Sequence, residues 1–232
     1  MNFMTPEKMH ELANILSHFD RKPVFGLPWL TSTVANTWII WGIVVILCYL
    51  ATRRLSENKP SKLQSVLEML VEFIYGLLEP AFGREGRKYL WFIGGMFIAV
   101  MTLNLSWLIP NMLPPVTDFS TTFGLGAFAI LTVHVIGAKK KGLKHYIHHY
   151  TSPSPIMAPL TLIEELMRPF TLAIRLFGNM FGEKMVVTVL FILAPLFLPT
   201  PVMILGALMG LVQAFVFTLL TTSYLTGILK GH

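Results

Sequence analysis

A chain of 232 residues that is 54% hydrophobic and only 13% charged, with a mean hydropathy of +0.64, is too apolar for a water-soluble domain of its length. Its net charge of +6 lies mostly in two loops beside apolar runs, which makes it a topology signal and not a nucleic-acid footprint, and the single Cys48 excludes a disulfide framework. These totals imply an all-α polytopic membrane protein.

Residues 1–33 mix Glu7, Lys8, Glu11, Asp20, Arg21 and Lys22 with Pro23 and Pro28, so they read as an exterior N-terminal segment without a short cleavable signal pattern. Residues 34–52 are free of charge, and about 20 such residues cross a hydrocarbon core of roughly 30 Å. Trp38 marks one interface and Arg53-Arg54 the other, which should be cytoplasmic. Residues 61–80 differ, because Ser61, Ser65, Glu68, Glu72 and Glu79 recur at helical spacing opposite Leu63, Val66, Leu67, Leu70, Phe73, Ile74 and Leu77. That pattern predicts an amphipathic helix in the cytoplasmic interface, with an acidic face that could meet a partner subunit.

Residues 90–110 form a second span, interrupted by Asn104 and Ser106 and ended by Pro110. The stretch Asn111 to Thr122 holds no Lys or Arg and reads as exterior; residues 123–138, containing His134, return through the membrane to a basic loop at 139–158. Seven Lys/Arg between Arg53 and Lys88, four between Lys139 and Lys144, and none in the intervening loop place the N-terminus outside and the C-terminus inside. Residues 160–198 and 202–230 are each longer than a perpendicular crossing needs. A steeply tilted antiparallel hairpin accounts for both lengths, unless Pro169 or Pro195 breaks the first helix. Pro199 and Pro201 would make the turn, and Gly206 and Gly210 would let the pair approach closely.

The chemistry concentrates on that hairpin. Arg175, Asn179 and Glu183 stand at i, i+4 and i+8, one polar stripe in an apolar run. An arginine at the bilayer centre costs roughly 2.5–3.5 kcal/mol on insertion scales, so its default reading is functional. Glu164 and Glu165 lie about three turns before Arg175 and Glu183 about two turns after it, while the second helix adds Gln213, Thr221 and Tyr224. Taken singly, Asn179 and Gln213 could be interhelical hydrogen-bond glue worth about 0.6 kcal/mol each, and Glu183 could merely pair with Lys184. Together they suit a fixed cation between two acidic clusters: a guanidinium, unlike a buried ammonium, keeps its proton, so an ion entering from one side cannot leak straight to the other without a moving carrier.

Ile-Arg-Leu-Phe-Gly-Asn-Met at 174–180, Gln-Ala-Phe-Val-Phe at 213–217 followed by Tyr224, and Lys-Lys-Gly-Leu-Lys-His-Tyr at 140–146 closely resemble subunit a of the bacterial F-type ATP synthases. The resemblance runs in order from the first span to the C-terminus. It implies five membrane-embedded helices plus one interfacial helix, and a stator subunit packed against a rotating ring of c subunits. It also implies the b-subunit peripheral stalk and, indirectly, the F1 ATPase head as partners, in a bacterial inner membrane. Arg175 would match the arginine facing the ring carboxylate; Asn179, Glu183, Gln213 and Tyr224 would match polar positions of the ion path, and Glu165 an acidic residue of the cytoplasmic half-channel. Glu164, Lys184, His134 and Thr221 complete the candidate set. Many relatives carry the acidic residue nine positions after the arginine, where this chain has Lys184, with Glu183 one position earlier; some place an ionisable residue where it has Gly206.

On this reading the chain itself performs no covalent chemistry and needs no cofactor or metal; it passes protons or Na+ to and from the ring. A stand-alone transporter or channel would predict an internal repeat between residues 34–138 and 160–230, and none is visible. A metalloenzyme built on His145, His148 and His149 would place its site in a solvated cationic loop without an acid/base partner.

Overall fold

A computed structural model describes residues 31–53, 61–108, 114–142, 158–193 and 197–230. Most of the expected N-terminal segment, Arg54, the span end at Pro110, most of the basic loop with His145, His148 and His149, Pro195 and the C-terminal His232 lie outside the described residues. The described chain is helical, in the order α1 (Ser32–Thr52), α2 (Lys62–Phe82), a 3-10 segment Gly83–Lys88, α3 (Leu90–Leu105), short 3-10 turns at Ser106–Leu108 and Pro115–Thr117, α4 (Phe119–Lys141), α5 (Ala158–Leu193) and α6 (Pro199–Lys230). Among the described residues, four segments are long and apolar enough to cross a membrane: α1, Leu90–Leu108, α4 and α6. The protein is an all-α polytopic membrane protein.

Local chemistry sets the helix ends. Ser61 caps α2 by accepting a hydrogen bond from the Gln64 amide at 3.2 Å, and Gly83, at φ 58°, closes it in a conformation that favours glycine. Asp118 caps α4, its Oδ1 accepting from the Ser120 amide at 3.0 Å, so this helix begins at Phe119 and not at 123. Its other end runs to Lys141, past the expected 138, because Lys139, Lys140 and Lys141 complement the negative end of the helix dipole before Gly142 turns the chain at φ 79°. Pro199 and Pro201 belong to the first turn of α6 instead of forming a separate turn, since the first helical positions need no intrahelical N–H donor.

Helix α5 runs through Pro169 without a break for 36 residues, about 54 Å at 1.5 Å per residue. Pro169 removes the N–H that would reach the Glu165 carbonyl, and neighbouring packing compensates for it. The helix lies against α4 so closely that a Cβ on Gly126 would stand 2.8 Å from the Pro169 carbonyl oxygen. Glycine is what this crossing requires.

The core is formed where α3, α4, α5 and α6 meet: Ile93 and Val100, Ala129 and Val133, Leu172 and Leu176, and Ala214, Phe217 and Leu225 are fully enclosed. Ile74 and Leu78 bring the inner face of α2 onto this cluster, whereas Leu63, Val66 and Phe73 of the same helix are exposed. Only Ile40 and Ala51 of α1 are buried, and Trp38, Val45, Ile46 and Tyr49 face outward, as suits a helix surrounded largely by lipid.

Candidate functional site: a polar seam along α5

Three groups of polar side chains lie along α5, each positioned against a different neighbour. In the first turns, Arg168 Nη1 stands 2.8 Å from Glu165 Oε1 and Arg168 Nη2 stands 3.5 Å from Glu164 Oε1. Spacings of three and four residues put all three on one face of the helix. From α4, His134 Nε2 approaches Glu165 Oε2 to 3.4 Å, and from α6 the Tyr224 ring lies under the Arg168 guanidinium, 4.7 Å from centroid to Cζ. Beside this cluster opens a cavity of about 710 Å³, bordered by Glu165, Arg168, Thr222, Ser223, Tyr224 and Lys230.

The middle of α5 carries Arg175. Its side chain is exposed beside Ile174, and among the described residues it makes no hydrogen bond and no ion pair. Gly178 and Gly182 continue the same exposed face, with open space where a Cβ would project. One turn beyond Arg175, Asn179 Nδ2 donates to Gln213 Oε1 at 2.9 Å, joining α5 to the buried face of α6. Asn104 on α3 reaches the same region of α6 by donating to the Gly210 carbonyl at 3.0 Å. A Cβ on Gly210 would lie 3.3 Å from Asn104 Cβ and 3.5 Å from Met180 Cε, so a small residue lets three helices converge there.

The third group sits about 12 Å further along, eight residues after Arg175. The Glu183 carboxylate lies in the space a Cβ at position 206 would take, so Gly206 acts as its cradle on α6. Among the described residues Lys184 makes no salt bridge to Glu183, although each feels the other's charge; its ammonium stands over the Trp107 ring, 4.9 Å from the centroid. Consecutive helical residues point about 100° apart, so one faces α6 and the other the 3-10 turn after α3. Thr221 is turned inward, its hydroxyl donating to the Phe217 carbonyl of its own helix at 2.9 Å, a packing arrangement with no link to the other polar groups.

The family model described as ATP synthase A chain matches residues 34–226. The chain belongs to the ATP synthase subunit a family. It is 52% identical over 201 residues to the ATP synthase subunit a of Moorella thermoacetica, covering 87% of this chain and 92% of that one. It is 38% identical to ATP synthase subunit a 3 of Pelobacter propionicus and 35% identical to ATP synthase subunit a of Geobacter sulfurreducens, each alignment spanning 85% of this chain and 87% of the relative.

As a member of the subunit a family, the chain belongs to the membrane sector of an ATP synthase complex. Apart from Thr221, the candidate residues of this subunit fall into the three groups just described, which include three further members. Arg168 was signalled by its three- and four-residue spacing from Glu165 and Glu164. Asn104 was visible as a carboxamide within an apolar span, but its partner carbonyl on α6 was not. Trp107 beneath Lys184 had no sequence signal, because 77 residues separate the two and they meet only through the packing of α3 and α5 on α6.

Proposed function

We propose that this chain is the stator half of a rotary ion motor, providing two offset half-channels that load and unload carboxylates on a ring of c subunits and so couple ion flow to ATP synthesis. The observation that carries this reading is the exposed Arg175, unpaired among the described residues, on a glycine-lined face of α5, with acidic groups on the same helix to either side. A permanent cation on a membrane helix needs an anion, and the open face around Gly178 and Gly182 lets another helix bring one close.

An ion enters from the exterior near Glu183 and neutralises a ring carboxylate, which can then move through lipid. It leaves to the cytoplasm near Glu164 and Glu165, while Arg175 holds the ionised carboxylate and blocks a direct leak. Each elementary charge crossing 100 mV supplies about 2.3 kcal/mol. The chain is non-catalytic; the peripheral b stalk would hold it still, and the F1 head would carry the chemistry. The N-terminus lies outside and the C-terminus in the cytoplasm of a bacterial cell.

Disulfide mapping tests the proposed surface. In a Cys48→Ser background, Ile174→Cys should cross-link rapidly to a cysteine placed beside the ring carboxylate, whereas Trp38→Cys on α1 should not. Equal cross-linking from both positions would contradict the assigned face.

A further inference from the structure

Arg168 divides the Glu165 carboxylate into two unlike oxygens. Oε1 is held by Arg168 Nη1 at 2.8 Å, whereas Oε2 is buried without a hydrogen-bond partner and faces His134 Nε2 at 3.4 Å. Arg168 is itself held on two sides, by Glu164 Oε1 at 3.5 Å and by the face of the Tyr224 ring at 4.7 Å. A guanidinium is planar and presents its N–H groups in a fixed fork, so pinning it on α6 fixes the carboxylate on α5. The cavity of about 710 Å³ is bordered by Glu165 and Arg168, and His134 on α4, which is not part of its wall, reaches Glu165 Oε2.

We infer that Arg168 is a positioning residue that clamps Glu165 Oε1 and thereby presents Oε2 to His134 Nε2, making Glu165 and His134 a two-site proton relay. This rests on the motor reading and assigns its inner half-channel a proton-carrying pair. In the outward-to-inward direction a proton on Glu165 Oε2 moves to His134 Nε2: the O–H bond breaks and the N–H bond forms. The carboxylate is left ionised beside Arg168, and the imidazolium returns a proton to water toward the Lys139 end of α4. The acceptor must be neutral imidazole with its lone pair on Nε2. The reverse step serves ATP-driven pumping. Among the described residues, Glu164 on α5 and Tyr224 and Lys230 on α6 are further charged or titratable groups near the pair; α2 contributes Leu77, Pro80 and Ala81 to the cavity wall.

The test uses the complete ATP synthase in liposomes with the ATPase head outward, reading the initial rate of ATP-driven proton uptake against outer pH. In the parent complex the rate should fall as pH rises through the imidazole range. His134→Gln should remove that branch and lower the rate at least about tenfold, the low side of what a positioned acid or base contributes. Arg168→Gln should lower it about tenfold to a hundredfold, Arg168→Lys should recover part of the loss, and Arg168→Gln with Glu165→Gln should be no slower than Glu165→Gln alone. ATPase head retained on the vesicles shows that each variant assembles. An unchanged pH profile in His134→Gln, or additive losses with no recovery by lysine, would overturn the relay, as would uptake of Na+ in place of protons. An Arg175→Ala complex run alongside separates the two levels: coupled pumping by it would sink the motor reading, whereas its failure beside normal Arg168 and His134 variants would sink the relay alone.

Discussion

The seam on α5 turns on where single atoms have room. Glu183 lies against Gly206 on the neighbouring helix, where a larger residue would meet its carboxylate. The obstructing group is the tip of a flexible side chain, so Gly206→Ala should leave stability within about 0.5 kcal/mol while pushing the carboxylate aside. A displacement near 1 Å can cost roughly a hundredfold in a positioned reaction, and a clear fall in ATP-driven ion uptake with unchanged thermal stability is the expected outcome. Retained uptake would show that the cradle positions nothing. Arg175, Asn179, Glu183 and Gln213 could be singled out from sequence because polar groups inside apolar helices are costly and few. Which of them touch could not be seen: Asn179 reaches Gln213 across 34 residues of chain, and Lys184 leaves the adjacent Glu183 for a tryptophan on another helix.

Among the elements, the meeting of α4 and α5 is the least tolerant. At Gly126 the obstructing atom is a backbone oxygen, which cannot swing away, so Gly126→Ala must separate the helices where Glu165 and His134 face one another. The cost should be about 1–3 kcal/mol, typical of overpacking, read as a lower temperature at which the detergent-solubilised complex dissociates. A different tie joins the 3-10 segment to the end of α4: Lys140 Nζ donates to Glu85 Oε2 at 3.0 Å and Lys88 Nζ to Glu85 Oε1 at 3.1 Å. The Lys140 hydrogen bond, followed by that of Lys88, holds the Glu85 carboxyl below the usual carboxylate range. A depressed folded-state value means that the tie is fully present above the ordinary carboxylate pKa, about 4.3, and is lost as pH falls through the lower folded value. Spin labels at Arg84 and Lys139 should therefore hold one distance at neutral pH and spread below that range, and Glu85→Gln should show the spread at every pH. Helix identities were legible from hydropathy and charge, but ends were not. Asp118 extends α4 backward by four residues, and Pro169, a strong breaker in isolation, is carried inside α5 by packing that no local pattern encodes.

At the scale of the whole molecule, four helices enclose a core and α5 exposes Arg175 on its outer edge. A self-contained transporter would direct its charges inward, toward a path between its own helices. Here Glu165 and Glu183 turn toward neighbouring helices, whereas Arg175 turns away from the core. That division suits a stator: ion-handling groups within the subunit and a barrier charge at the surface offered to a moving partner. In the function we propose, Arg175 couples ion movement to that partner. The most direct measurement compares ATP-driven ion uptake by vesicles carrying the parent complex and the Arg175→Ala complex, each with its ATPase head attached. The variant should assemble and hydrolyse ATP but take up no ions; uptake at the parent rate would refute the role proposed for Arg175.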